Sequence, residues 1–115
     1  MNQDKIIVAD DQLIHLEMFK DNMQKLKLHK NCIFTNNGRE AIEVAKHVIV
    51  TRLTKTLEVA SKDVRTAIRP ISIMILDLQM PHKNGIEVIR WVVNCCENLT
   101  LQHEHLKIEP PIFVI

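Results

Sequence analysis

Four short apolar runs limit what this chain can fold into. Residues 5–9 (KIIVA), 31–35 (NCIFT), 71–76 (ISIMIL) and 112–115 (IFVI) are each too short for a helix and carry β-branched residues. Between them, apolar residues return every three or four positions. Ile14, Met18, Phe19, Met23 and Leu26 follow the first run, and Ala41, Ile42, Ala45, Val48 and Ile49 follow the second. After the third come Ile86, Ile89, Val92 and Val93. Apolar strands alternating with amphipathic helices predict an α/β domain, a doubly wound parallel sheet covered on both faces. The stripe Met18-Phe19-Met23 is expected in the core, and Asn36-Asn37-Gly38 supplies a turn and N-cap for the helix opening near Arg39. Residues 50–69 keep a looser helical period through Leu53, Leu57, Val64 and Ile68 until Pro70 stops it, and 97–109 read as a polar stretch.

A length of 115 residues with 46% apolar content supports one domain with a modest core. With 15 Lys and Arg against 14 Asp and Glu, no electrostatic footprint for nucleic acid or an anionic membrane is expected. The two glycines, Gly38 and Gly85, cannot build a glycine-rich phosphate cradle, which needs two close together. Cys32, Cys95 and Cys96 are an odd number with two adjacent, so they read as small apolar residues in a reducing compartment rather than a disulfide framework. His103 and His105 read as solvated loop residues. No apolar run reaches membrane-spanning length, and the opening MNQDK does not read as a secretion signal, so a cytoplasmic location is expected.

Two of the strand runs end in carboxylates: Asp10-Asp11 after the first and Asp77 after the third. In a doubly wound sheet, ligands bind beyond the carboxyl ends of the strands, where the strand order reverses. If those two strands are neighbours there, three carboxylates converge. Like charges so crowded repel, and a hard divalent cation relieves the repulsion. Mg²⁺ prefers oxygen ligands and keeps sites open for phosphate oxygens, so such a pocket points to phosphoryl chemistry.

The segments IIVADDQLIHLEMF, TNNGREAI, ISIMILDLQMPHKNGIEVI and PPIFVI, in this order, resemble the receiver domain of two-component response regulators. The third is the most specific, with an aspartate followed at fixed offsets by Met80-Pro81 and Asn84-Gly85. The resemblance implies a flavodoxin-like receiver fold in which Asp77 accepts a phosphoryl group. It implies that Asp10 and Asp11 hold Mg²⁺ together with Asp77 and the backbone carbonyl of Gln79. Pro81 and Gly85 would shape the loop after the acceptor, Asn84 would cap the third helix, and His82 would be a variable loop residue. The implied partner is a sensor histidine kinase or a histidine phosphotransfer protein, with this chain the acceptor rather than an enzyme.

The chain also departs from the pattern. Receivers place a Ser or Thr after the fourth strand and a Lys after the fifth, and this sequence stops at Ile115. Lys107 precedes the fourth run and is no substitute. The expectation is therefore a receiver lacking its last strand and helix, from a hybrid histidine kinase or a stand-alone regulator. Between Gly38 and Asp77 the chain is longer than expected by roughly fifteen to twenty residues, an insertion placed at about 49–69 and away from the carboxylates. The same residues admit two alternatives. A haloacid-dehalogenase-type phosphatase would need a second aspartate where Gln79 stands, whereas a non-phosphorylated pseudo-receiver would not need the acidic triad.

Overall fold

The alternation of strand and helix is realised as β1 (Ile6–Ala9), α1 (Leu13–Lys25), β2 (Cys32–Thr35), α2 (Gly38–Val59), β3 (Thr66–Ile68), β4 (Ile73–Leu76), α3 (Gly85–Gln102), β5 (Leu106–Ile108) and β6 (Ile112–Val114). The structure is a computed structural model and describes residues 4–115. Residues 1–3, which begin the MNQDK segment considered above as a leader, lie outside the described residues. The main sheet has the order β2-β1-β4-β6, parallel throughout. The chain moves from β1 sideways to β2, then crosses back over β1 to β4 and on to β6. This reversal makes the sheet doubly wound, with the switch point between β1 and β4. Right-handed crossovers in opposite directions send α1 to one face and α2 with α3 to the other.

The two faces are packed unequally. Ile7, Ala9, Met74 and Leu76 project toward α2 and α3, where Ala41, Ala45, Val88, Val92 and Cys96 bury against them. The alternate residues Ile6, Val8, Ile73 and Ile75 turn toward α1, which covers them with Leu16 and the half-buried Phe19. The inward stripe of α1 is therefore Leu16, Phe19 and Met23. Ile14 and Met18, expected inside, are mostly solvent-exposed because only one side of this helix meets the sheet. In α3 the same shift by one ridge buries Val88, Val92 and Cys96 and leaves Ile86 outside.

The region expected to stay helical to Arg69 does not. Helix α2 ends at Val59, a turn follows, and β3 pairs in parallel with β5 as a separate two-stranded sheet. Thr66 N–H donates to the His105 carbonyl (2.8 Å), and Glu109 N–H donates to the Ile68 carbonyl (2.8 Å). The polar stretch 97–109 likewise resolves into the end of α3 and strand β5, whose Leu106 and Ile108 are buried on either side of exposed Lys107. Thr100 ties the two together by accepting the Ile108 N–H (2.9 Å). Pairing across some forty residues of chain here outweighs the local helical period. Among the described residues, no helix is long and apolar enough to cross a membrane.

Candidate functional site

Strands β1 and β4 run in register with Ala9 beside Leu76, so the residues that follow them emerge side by side at the switch point. Asp77 N–H extends the ladder by donating to the Ala9 carbonyl (2.9 Å), and Asp10 N–H donates to the Thr35 carbonyl (3.2 Å). The result is a convergence of carboxylates: one oxygen each from Asp10, Asp11 and Asp77 lie within 4.8 Å of one another. Asp10 is buried, Asp77 half-buried and Asp11 exposed. Among the described residues this is the only group of three or more potential metal ligands, and neither His103 nor His105 joins one.

Each buried carboxylate is oriented by its own chain. Asp10 Oδ1 accepts the Gln12 N–H (2.9 Å) and its Oδ2 lies 2.9 Å from His15 Nδ1. Asp77 Oδ1 accepts the Gln79 N–H (3.2 Å). Gln79 thus touches the site through its backbone amide. Gln12 is the N-cap residue of α1 but makes no side-chain cap. Asp11, just before it, contributes its carboxylate to the cluster.

The loop between Asp77 and α3 is closed by Gly85 N–H on the Leu78 carbonyl (3.0 Å). A Cβ at Gly85 would lie 2.6 Å from the Asp77 carbonyl oxygen, so the close approach itself requires glycine. Gly38, at the start of α2, meets the same loop from the other side, and a Cβ there would fall on the Lys83 carbonyl. Asn84 caps α3 as the spacing implies. Its side chain accepts the Glu87 N–H (2.9 Å) while the Glu87 carboxylate accepts the Asn84 N–H (3.2 Å), a complete capping box. Asn37 caps α2 through the Glu40 N–H (2.8 Å). His82 is exposed, with a left-handed backbone (φ 70°).

A cleft of about 210 Å³ opens beside the cluster, lined by Asp10, His15, Phe19, Asp77 and Ile115 among others. His15 is the site residue that sequence reasoning missed. It reads as an ordinary polar position of α1, and its link to Asp10 spans a turn whose geometry no helical spacing encodes. The three carboxylates form an all-oxygen donor set, the chemistry that Mg²⁺ selects. Oxygens on opposite sides of such an ion are about 4.2 Å apart, so the observed spread is within reach of small side-chain rotations. The thiols are a poor competing nucleophile. Burial pushes all three up, and Cys96, buried beside Cys95 and Glu97, is raised to about 11.

Comparison with protein-family models finds no match, and comparison with curated proteins finds none either. A solved structure does match in fold: the co-crystal structure of the Saccharomyces cerevisiae histidine phosphotransfer signaling protein Ypd1 and the receiver domain of its downstream response regulator Ssk1. The TM-score is 0.61 at 15% sequence identity, covering 94% of this chain and 61% of the matched one. The chain thus spans about three-fifths of the length of its structural neighbour. At that identity the likeness establishes architecture alone: the doubly wound sheet is a flavodoxin-like receiver fold.

Proposed function

We propose that this chain is the acceptor in a phosphorelay, taking a phosphoryl group onto Asp77 from a phosphohistidine. The observation that carries the reading is the convergence of Asp10, Asp11 and Asp77 within 4.8 Å at the switch point of the sheet. The donor would be a sensor histidine kinase or a histidine phosphotransfer protein, and the neighbouring fold is that of a receiver domain crystallised with such a phosphotransfer protein. The residues 1–115 are read as receiver, with about 49–69 as an insertion remote from the carboxylates.

In the proposed reaction Asp77 Oδ2 attacks phosphorus in line. The new O–P bond forms as the P–N bond to the histidine breaks, and the electron pair returns to the imidazole, which takes up a proton. Oδ1 is engaged by the Gln79 N–H, which fixes the carboxylate plane and leaves Oδ2 for attack. The Asp10 and Asp11 carboxylates and the Gln79 carbonyl would hold Mg²⁺ together with Asp77. When bound, that ion offsets the repulsion between carboxylates and incoming phosphoryl oxygens, on the order of a few kcal/mol per pair at intermediate dielectric. Asp10 is kept facing the cluster by the Gln12 N–H and His15. The closed 78–84 loop holds Gln79 against the acceptor. No second carboxylate stands two residues after Asp77, where Gln79 is found, so a phosphatase reaction lacks its general acid.

The test is to incubate the protein with acetyl phosphate and Mg²⁺ and measure intact mass. The expected result is one added phosphoryl group, lost in Asp77→Asn and on chelation of the metal. Incorporation at full level in Asp77→Asn overturns the assignment.

A further inference from the structure

The end of the sheet opposite the carboxylates carries a second pocket, of about 250 Å³. Lys5, just before β1, and Pro70, before β4, place it at the amino ends of the strands. Its other wall is the second half of α2, where His47, Thr51 and Lys55 form one ridge at four-residue spacing and Val48 and Arg52 the next. Ile33, Val48 and Pro70 supply an apolar floor.

The charge around this pocket is one-sided. Lys5, Arg52 and Lys55 line it with His47, and no carboxylate does. Four cations outside the pocket, Lys20, Arg69, Lys83 and Lys107, find a glutamate within 4 Å, while the others, such as Lys62 and Arg65, point to solvent without one. Among the described residues, Lys5, Arg52 and Lys55 make no such ion pair. The hydroxyls behave in the same way. Thr54 and Thr56 return theirs to the helix carbonyls of Val50 and Arg52 (2.9 and 2.8 Å), whereas Thr51, facing the pocket, makes no protein hydrogen bond among the described residues.

We propose that this pocket binds a small organic phosphate. Arg52 supplies the planar fork that matches phosphate oxygens, Lys5 and Lys55 add point charges, and Thr51 donates its hydroxyl. A phosphomonoester carries a charge of about −1.5 to −2 near neutral pH, which the three cations neutralise. Ile33, Val48 and Pro70 take the apolar or planar body of the ligand. The volume is below the roughly 300 Å³ at which drug-sized pockets begin, which fits a ligand no larger than a nucleoside monophosphate. This site is independent of the phosphoacceptor reading, and it gives a role to the part of α2 that overhangs the sheet.

The probes are adenosine 5′-monophosphate, inorganic phosphate and citrate, each titrated without Mg²⁺ and followed by thermal shift and by the NMR signals of the His47 ring. Saturable binding of the nucleotide is expected, with inorganic phosphate weaker because it leaves the floor uncovered, and citrate weaker still. Arg52→Glu/Lys55→Glu should weaken nucleotide binding at least about tenfold. The control pair Lys62→Glu/Arg65→Glu, with the same change of net charge at exposed positions outside the pocket, should leave it unchanged. Should the double reversal fail to fold, Lys55→Gln gives the same comparison with a smaller loss. Absence of saturable binding up to about 10 mM, equal binding of citrate, or an equal loss in the control pair would each overturn the proposal.

Discussion

The two ends of the central sheet differ in charge and in how their reactive groups are held. At the carboxyl end, Asp10 and Asp77 are short side chains attached directly to strand ends, and each accepts a backbone N–H from two residues onward. The loop behind them is pinned by two glycines that allow main chain to touch main chain. At the amino end, the cations sit on long side chains, and two of the three, Arg52 and Lys55, come from α2. A carboxylate cluster built on the backbone has little freedom to relax its own repulsion, so it suits a small hard ion of fixed geometry. Flexible cations over an apolar floor suit a ligand whose shape is less strictly set. The same parallel sheet thus presents two kinds of electrostatic surface, separated by the length of its strands.

The largest test of that contrast is steric and uses the two ends of α2. Gly38→Ala places a Cβ against the Lys83 backbone, and overpacking against main chain is expected to lower stability by about 3 kcal/mol. Thr51→Ala, exposed on the same helix at the other end of the sheet, should change it by less than about 0.5 kcal/mol. Urea unfolding of both variants measures the difference. If Gly38→Ala is as mild as Thr51→Ala, the 78–84 loop is free to move away from α2, and the carboxyl end is no more rigidly built than the other.

This difference in construction also decides what could be read from sequence. The carboxyl end is written locally: an apolar run, an aspartate, then Asn84-Gly85 at the offset that caps α3. Strands β1 and β4 and the Asn37 and Asn84 caps therefore appear where the residues place them. Their meeting depends only on β1 and β4 being neighbours, which the doubly wound topology implies. The amino end depends on where α2 stops and what it overhangs. Residues 50–69 keep a helical period, yet Ile68 and Ile108 bury by pairing β3 with β5, and no local pattern announces a three-residue strand whose partner lies forty positions away. Helix faces were misjudged for a related reason. Ile14 and Met18 are as apolar as Leu16 and Phe19, and only the position of the sheet decides which ridge turns inward. His15 was missed because its partner lies across a turn.

A smaller effect is expected at the cap of α3, which borders the same loop. Asn84→Ala removes the side-chain half of the capping box and should lower stability by about 1 kcal/mol in urea unfolding. Because the cap fixes the start of α3 at Gly85, the variant should also bind Mg²⁺ more weakly in calorimetric titration. A stability loss with unchanged Mg²⁺ binding would mean that the cap serves the helix alone, and that Gly85 and Gly38 suffice to hold the loop.

The smallest expected effect is at His15, the long side chain that meets Asp10. Its Nδ1 lies 2.9 Å from Asp10 Oδ2, and nearly half of its side chain is exposed. Two roles are open to such a contact, and they differ in sign. A ring that draws on a carboxylate oxygen lowers that oxygen's capacity to bind a cation. A ring that merely orients the carboxylate raises it. Asp10 is already oriented through Oδ1 by the Gln12 N–H, so the orienting contribution is largely redundant and the first role should prevail. His15→Ala is therefore expected to tighten Mg²⁺ binding two- to threefold, less than about 1 kcal/mol, measured by calorimetric titration at fixed pH. A fall in affinity instead would show that Asp10 depends on a side chain for its placement, and the carboxyl end would then resemble the amino end in construction more than its backbone contacts suggest.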